Sequence, residues 1–152
     1  MKKVVVFSQI DQDVLTQLQQ NYQVVVLNPK LGDINEQIRT EVVDADAMIG
    51  AGRLLNQSNL APAQKLKMIS TVSVGYDNYD VDYLNQQKIW LANTPHVLTE
   101  TTADLAFSLL LSAARKIPQL DAWTKQGQWK RTVAVEQFGV DVFGKTLGII
   151  GL

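Results

Sequence analysis

The sequence predicts an α/β fold built on a parallel sheet, and three features carry that expectation. Short runs rich in Val and Ile alternate with longer segments whose apolar residues recur three or four positions apart, so strands and helices take turns. The short runs hold few polar side chains, which suits strands buried on both faces. With 152 residues, 46% of them hydrophobic and 19% charged, the chain can bury one domain core without disulfides or metals.

Five strands are expected at 3–8, 23–27, 47–50, 68–72 and 89–92. Helices are expected between them at 11–20, 34–43, 57–63 and 81–87, with spacings such as that of Val14, Leu15 and Leu18. Successive βα units joined by right-handed crossovers give an open, flavodoxin-like parallel sheet of order 2-1-3-4-5, with function at the carboxyl ends of the strands. After Thr94-Pro95 the character changes. Thr101 and Asp104 read as a capping box for a long helix that runs to Lys116. Leu105, Ala106, Phe107, Leu109, Leu110 and Leu111 surround that helix with apolar groups, so cover by other domains or another subunit is expected. Pro118 breaks it, a polar helix follows over 119–126, and Gly127 closes that one. Residues 129–144 read as irregular. Residues 145–152 read as a buried strand leading into Gly151, which is how a dinucleotide fingerprint G-x-G-x-x-G opens. Taken alone, a strand that happens to end in glycine is the stronger reading.

Composition removes several classes of function. Fourteen Lys and Arg against 15 Asp and Glu, with no run of like charge, argue against a nucleic-acid or membrane-surface partner. The chain has no Cys and one His, so it holds no thiolate metal site, no zinc cluster and no cysteine nucleophile. The apolar start at Val4 ends at Ser8, Gln9 and Asp11, well short of a signal-peptide core, and the uncharged stretch 105–114 is too short for a bilayer that needs about 20 residues. A cytoplasmic location is the expectation. A response-regulator receiver needs an Asp at the end of the third strand, where Gly50, Ala51 and Gly52 stand. A flavodoxin needs an uncharged phosphate loop after the first strand, where Asp11 and Asp13 stand.

Five ordered segments carry a resemblance: Ser73-Val74-Gly75-Tyr76-Asp77-Asn78; Asn93-Thr94-Pro95; Leu98-Thr99-Glu100-Thr101-Thr102-Ala103-Asp104; Gly127-Gln128-Trp129; and Gly144-Lys145-Thr146-Leu147-Gly148-Ile149-Ile150-Gly151. Together they resemble the D-isomer-specific 2-hydroxyacid dehydrogenase family, with the likeness directed to its glyoxylate/hydroxypyruvate reductases. Members of that family are about twice this length. The resemblance implies a substrate-binding domain over 1–98, interdomain and dimerisation helices over 99–127, an irregular connection over 128–144, and the first strand of an NAD(P)-binding domain over 145–152. It implies hydride transfer from NAD or NADP to a small 2-oxo acid, with the proton supplied by a His paired with a Glu and the carbonyl held by an Arg. By position all three fall beyond Leu152, so no catalytic residue is expected in these 152 residues. Weak or absent cofactor binding and no activity are expected of the chain alone. The rival reading is a non-catalytic chain that folds, dimerises or binds a small acid.

The resemblance also assigns site residues. The amides of Val74 and Gly75 are implied to meet the substrate carboxylate, with Val74 also near the nicotinamide. On the residues alone, a turn that needs glycine explains Gly75 about as well. Leu54 is implied to line the substrate pocket, against the alternative of a packed loop residue. Thr102 is implied to lie close to the cofactor, although helix capping accounts for it almost equally, and Gly151 opens the cofactor fingerprint. Gly50 stands where phosphoglycerate dehydrogenases carry an Arg for the substrate phosphate, which disfavours a phosphorylated substrate. Thr132 stands where some reductases place a second Trp that reaches the partner subunit's pocket. His96 reads as a loop histidine, and Trp90, Trp123 and Trp129 as packing residues. A homodimer through the helix near 101–116 is implied as well.

Overall fold

A computed structural model describes residues 1–151 of the chain. Strands β1 (Lys3–Val6), β2 (Gln23–Val26), β3 (Ala47–Gly50), β4 (Met68–Thr71) and β5 (Trp90–Ala92) form one sheet in the order β2-β1-β3-β4-β5. Every neighbouring pair is parallel, and the register sets Val5 between Val25 and Met48, with Met48 beside Ile69. Helices α1 (Gln12–Asn21), α2 (Ile34–Glu41), α3 (Gln57–Leu60) and α4 (Val81–Gln86) fill the connections. This is the flavodoxin-like α/β architecture that the sequence predicts.

Each of these helices starts on an Asp or Asn whose short side chain satisfies amides of the first turn. Asp11 accepts from the Asp13 amide at 2.8 Å, Asp33 from Asn35 at 2.7 Å and Glu36 at 3.1 Å, and Asp80 from Tyr83 at 3.0 Å. Asn56 and Asn59 form a reciprocal box, with the Asn56 amide donating to Asn59 Oδ1 at 3.0 Å. Strands β3 and β5 end where expected, while β1, β2 and β4 stop one or two residues earlier than expected at their carboxyl ends. Single bonds continue past the ladder there, from Phe7 N–H to the Ile49 carbonyl, Leu27 N–H to Val6, and Val72 N–H to Gly50, before the chain turns into loops.

Burial on both faces holds only for β1, where every residue is buried. Right-handed crossovers place α2, α3 and α4 on one face and α1 alone on the other. The core follows that division: Ile34, Ile38, Leu60 and Leu84 pack with Val5, Met48 and Ile69, while no α1 residue is buried. Met68, Ser70 and Trp90 instead border a groove of about 470 Å³ beside Leu18 of α1 and Tyr22 just after it. Trp90 is therefore not a packing residue, being 78% exposed on the edge strand.

The chain divides into two compact units, Met1–Val97 and the residues from Leu98 on. In the second, α5 (Thr99–Ala114) and α6 (Ile117–Lys125) are joined through Lys116 at φ 55°. The expected capping box at Thr101 and Asp104 is not formed. The helix starts at Thr99, so Thr101 lies inside its first turn, and its hydroxyl donates back to the Leu98 carbonyl at 3.2 Å. Pro118 stands in the first turn of α6, where its missing N–H costs nothing, and Gly127 at φ 68° ends the helix as expected. No α5 residue is buried, and Leu105, Phe107, Leu109 and Leu111 are all exposed.

Residues 129–144 are irregular apart from one 3-10 turn at Val135–Gln137. The Trp129 ring stacks on Trp123 at 6.4 Å between centroids, although Trp129 itself stays largely exposed. Gly139 lies so close to the end of α5 that a Cβ would fall 2.3 Å from the Ala114 carbonyl oxygen. The expected strand at 145–152 is not formed over its described residues, 145–151, and Leu152 lies outside them. A strand exists only through the ladder it shares with neighbours, and no other strand pairs with this segment among the described residues, so Ile149 and Ile150 are exposed. Among the described residues no helix is long and apolar enough to cross a membrane.

Candidate functional site

The carboxyl ends of β1, β3, β4 and β5 carry the loops of the first unit that the topology sets apart for ligands. Three of them interlock at their bases. The Ser8 hydroxyl after β1 accepts from the Ala51 amide at 2.8 Å. At the last residue of β3, Gly50 lies against the buried Phe7 ring, and a Cβ there would sit 2.7 Å from Phe7 Cδ2. Leu55 and Tyr79 form an isolated parallel bridge, with Leu55 N–H donating to the Asn78 carbonyl at 2.8 Å and Asp80 N–H to Leu55 at 3.0 Å. That bridge zips the loop after β3 to the loop after β4.

Leu54 precedes this bridge. Its carbonyl is held by Asn59 Nδ2 at 2.8 Å, while the residue is 60% exposed. Packing within the unit therefore does not account for its apolar character. In the loop after β4, the Ser73 carbonyl accepts from the Thr94 amide at 3.0 Å and the Val74 carbonyl from Asn93 Nδ2 at 2.8 Å. The end of β5 thus braces the carbonyls of this loop from one side. The amides of Val74 and Gly75 donate to no atom among the described residues, and both residues are exposed, Val74 by 44%.

Gly75 does not adopt a left-handed conformation, and the nearest atom to a Cβ built there is Asp77 Oδ2 at 3.4 Å, an ordinary contact. Neither the turn nor the packing requires glycine at this position. What glycine leaves is a bare stretch of backbone with two free donors, a geometry that accepts an anion. The Asp77 carboxylate beside it is the local charge that opposes one.

Leu54, Val74 and Gly75 are thus on two neighbouring, bridged loops of the first unit. Thr102 and Gly151 belong to the second. Thr102 lies in the first turn of α5, where its amide donates to the Leu98 carbonyl at 2.9 Å and its hydroxyl has no partner among the described residues. Capping does not occupy it. Gly151 is exposed at φ 86°, a conformation that favours glycine. His96 is an exposed loop residue at φ 65°. No cluster of three or more metal-ligating side chains exists among the described residues.

Sequence reasoning did not single out the side chains that hold these loops, Ser8, Asn59 and Asn93, nor Thr71 and Tyr79, buried at the two ends of the loop after β4. Asn93 had a signal, an amide side chain directly after a strand within a quoted motif. The others differ from ordinary loop residues only through contacts made in three dimensions. Burial pushes the Tyr79 phenol above its ordinary pKa, and the neighbouring Thr71 hydroxyl opposes part of that rise.

A family profile described as D-isomer specific 2-hydroxyacid dehydrogenase, catalytic domain, matches residues 4–144. The glyoxylate/hydroxypyruvate reductase B of Serratia proteamaculans is 38% identical over 149 residues, covering 98% of this chain and 46% of that protein. That of Yersinia enterocolitica is 40% identical over 149 residues, with the same coverage of both. The chain therefore spans about half the length of the curated relatives it matches. Among solved structures, an NADPH-dependent glyoxylate/hydroxypyruvate reductase from Sinorhizobium meliloti in complex with citrate superposes with a TM-score of 0.76 at 28% identity, over 95% of this chain and 44% of that one. The same enzyme in complex with NADP and malonate gives a TM-score of 0.74 at 29% identity, with the same coverage. The sheet order, the loops at its carboxyl ends and a profile match across nearly the whole sequence agree: the chain belongs to the D-isomer specific 2-hydroxyacid dehydrogenase family.

Proposed function

We propose that this chain provides the substrate-binding side of an NAD(P)-dependent reductase of small 2-oxo acids of the glyoxylate or hydroxypyruvate type. The observation that carries this reading is the pair of free amides at Val74 and Gly75, on a loop whose carbonyls are braced and whose glycine has no conformational reason to be there. A carboxylate accepting both amides would gain two charge-assisted hydrogen bonds. Leu54 would then border the short substrate on its apolar side. Val74 and Thr102 would approach the nicotinamide cofactor, and Gly151 would begin the turn that receives its phosphates. A nicotinamide cofactor is drawn from an intracellular pool, so a cytoplasmic location is part of the proposal.

Hydride transfer to a carbonyl needs a proton donor and a group that polarises the oxygen. Among the described residues, the atom within 4 Å of a Cβ built on Gly75 is Asp77 Oδ2, from a carboxylate that repels an anion and is no proton donor to a carbonyl. The 152 residues alone are therefore assigned binding without turnover and weak affinity for NAD(P)H, and reduction is assigned to the chain completed by the remainder of a relative's sequence. Amide resonances of the labelled chain titrated with malonate test the first part: shifts centred on residues 73–76 are expected, and shifts elsewhere or none overturn it. NADPH oxidation with glyoxylate or hydroxypyruvate by the completed chain, and not by the 152 residues, tests the second.

The exposed apolar side chains of α5 support assembly as a two-fold homodimer through that helix. Burying Leu105, Phe107, Leu109 and Leu111 is worth about 1.5 to 3 kcal/mol each before association costs. Light scattering should give a dimeric mass that Leu109→Asp lowers to a monomer, and a monomer at high micromolar concentration in the unsubstituted chain would refute the assignment.

A further inference from the structure

Among the described residues, two buried side-chain polar atoms have no hydrogen-bond partner: the hydroxyl of Thr71 and that of Tyr79. Their positions are not independent. Thr71 is the last residue of β4 and 1% exposed; Tyr79 is 6% exposed in the core at the far end of the loop that β4 enters. Between them lie Val72 to Asn78, and so both free amides of the candidate anion site.

Buried hydroxyls without partners are uncommon, because each loses its water without recovering a hydrogen bond. Valine at 71 or phenylalanine at 79 would fill the same space without that loss. Each hydroxyl is the other's neighbour, since Thr71 is the polar group that acts on the Tyr79 phenol. No direct bond joins them, but a hydroxyl both donates and accepts, so one water trapped between the two satisfies both.

We infer that Thr71 and Tyr79 form a clasp that closes the base of the Val72–Asn78 loop and fixes the Val74 and Gly75 amides in their outward orientation. Both are positioning residues, because neither reaches the exposed amides itself. The clasp complements the two bonds on the loop's other side, Thr94 N–H to the Ser73 carbonyl and Asn93 Nδ2 to the Val74 carbonyl. It also adjoins the Leu55–Tyr79 bridge, so one tyrosine ties the loop to β4 by its hydroxyl and to the loop after β3 by its backbone. The functional meaning of the clasp rests on the reading of those amides as a carboxylate site; its existence does not.

The test uses the 152-residue chain with Tyr79→Phe, Thr71→Val, the double substitution, and Thr71→Ser, which keeps the hydroxyl. Backbone order parameters of Val74, Gly75 and Tyr76 should fall from about 0.85 to below 0.6 in Tyr79→Phe and in Thr71→Val, with Val4, Val5 and Val6 unchanged. The double substitution should do no more than the stronger single one, and Thr71→Ser should restore the original values. Unchanged loop order in both single variants, or additive effects in the double, overturns the clasp. Loss of order spread evenly over β1 and the loop overturns it too, by showing general destabilisation. Titration with malonate separates the two levels. If malonate shifts no loop amide in the unsubstituted chain while the order parameters behave as stated, the carboxylate reading fails and the clasp stands. If it does shift them, affinity should fall at least threefold in each single variant.

Discussion

Replacing Gly75 by alanine adds one methyl group where the structure has room for it and where a ligand would not. The backbone at Gly75 is outside the left-handed region, and the new Cβ would meet only the end of the Asp77 side chain, at 3.4 Å. Stability should therefore hold or rise, by about 0.4–1 kcal/mol, because alanine reduces the freedom of the unfolded chain at a compatible position. Binding should respond in the opposite direction. A carboxylate oxygen must come within about 2.7–2.9 Å of an amide nitrogen to form a charge-assisted bond, and a methyl group beside the amide holds it off. Losing one such bond is worth about 1.5–3 kcal/mol, which is roughly a 10- to 150-fold weaker dissociation constant. Urea denaturation and a malonate titration followed at the loop amides read the two effects on the same protein. A lowered urea midpoint would show that the turn needs glycine after all. An unchanged affinity in a stable variant would refute the close approach of a carboxylate.

Three further outcomes follow from particular contacts. Gly50→Ala should destabilise the fold by about 1–3 kcal/mol in urea denaturation, because its Cβ would press into the Phe7 ring at 2.7 Å and Phe7 is buried; an unchanged midpoint would show that the ring yields freely. Asp77→Asn should tighten malonate about two- to fivefold at low ionic strength by removing the opposing charge, and the gain should vanish in 1 M salt, where screening is nearly complete; no change at low salt would move the anion away from Gly75. At the amino end of β1, Lys3 is buried and pairs with Glu41 at 2.8 Å and with Asp44. The Lys3 ammonium holds the Asp44 carboxyl below its ordinary range, so the stability it contributes is present above the unfolded carboxyl's pKa and is lost as pH falls through the lowered folded value. The pKa of Lys3 is raised: burial opposes its charge, but the hydrogen bonds and charges of Asp44 and Glu41 prevail. Its contribution is intact below the unfolded lysine pKa and is lost as pH rises through the higher folded one. Lys3→Met should flatten both limbs of a stability–pH profile, and limbs unchanged by the substitution would refute the assignment.

The sheet was legible in the sequence because a buried parallel strand has to be apolar whatever lies beside it. Val4, Val5 and Val6 announce β1, and the Asp or Asn before each helix of the first unit marks its start. What local pattern cannot hold is anything decided by a neighbour distant in the chain. Thr101 has the spacing of a capping residue, yet the helix begins two residues earlier and leaves its hydroxyl facing a carbonyl. Residues 145–151 have the composition of a strand, but composition does not supply the adjacent strand that would make them one. Trp90 looks like core until the sheet order places it on an edge. In the candidate site, Val74 and Gly75 were readable as a motif, whereas the reason Gly75 matters emerged only from its backbone angle and from the space around it. Asn59 and Asn93 could not be assigned in advance, because a side-chain amide gripping a carbonyl looks in sequence like any other polar loop residue.

The bridge between Leu55 and Tyr79 bears on how this site can be re-engineered. Two segments joined by a register cannot vary in length independently: one residue inserted between Gly50 and Leu55 slips the pairing and turns Leu55 from the core toward solvent. A graft that brings only the segment after β3 from a relative would therefore arrive out of phase with its partner. Residues 51–56 and 76–80 are better exchanged together as one cassette, with the Leu55–Tyr79 pair as its fixed seam and the side chains at 53, 54 and 76 as the positions left free to be varied.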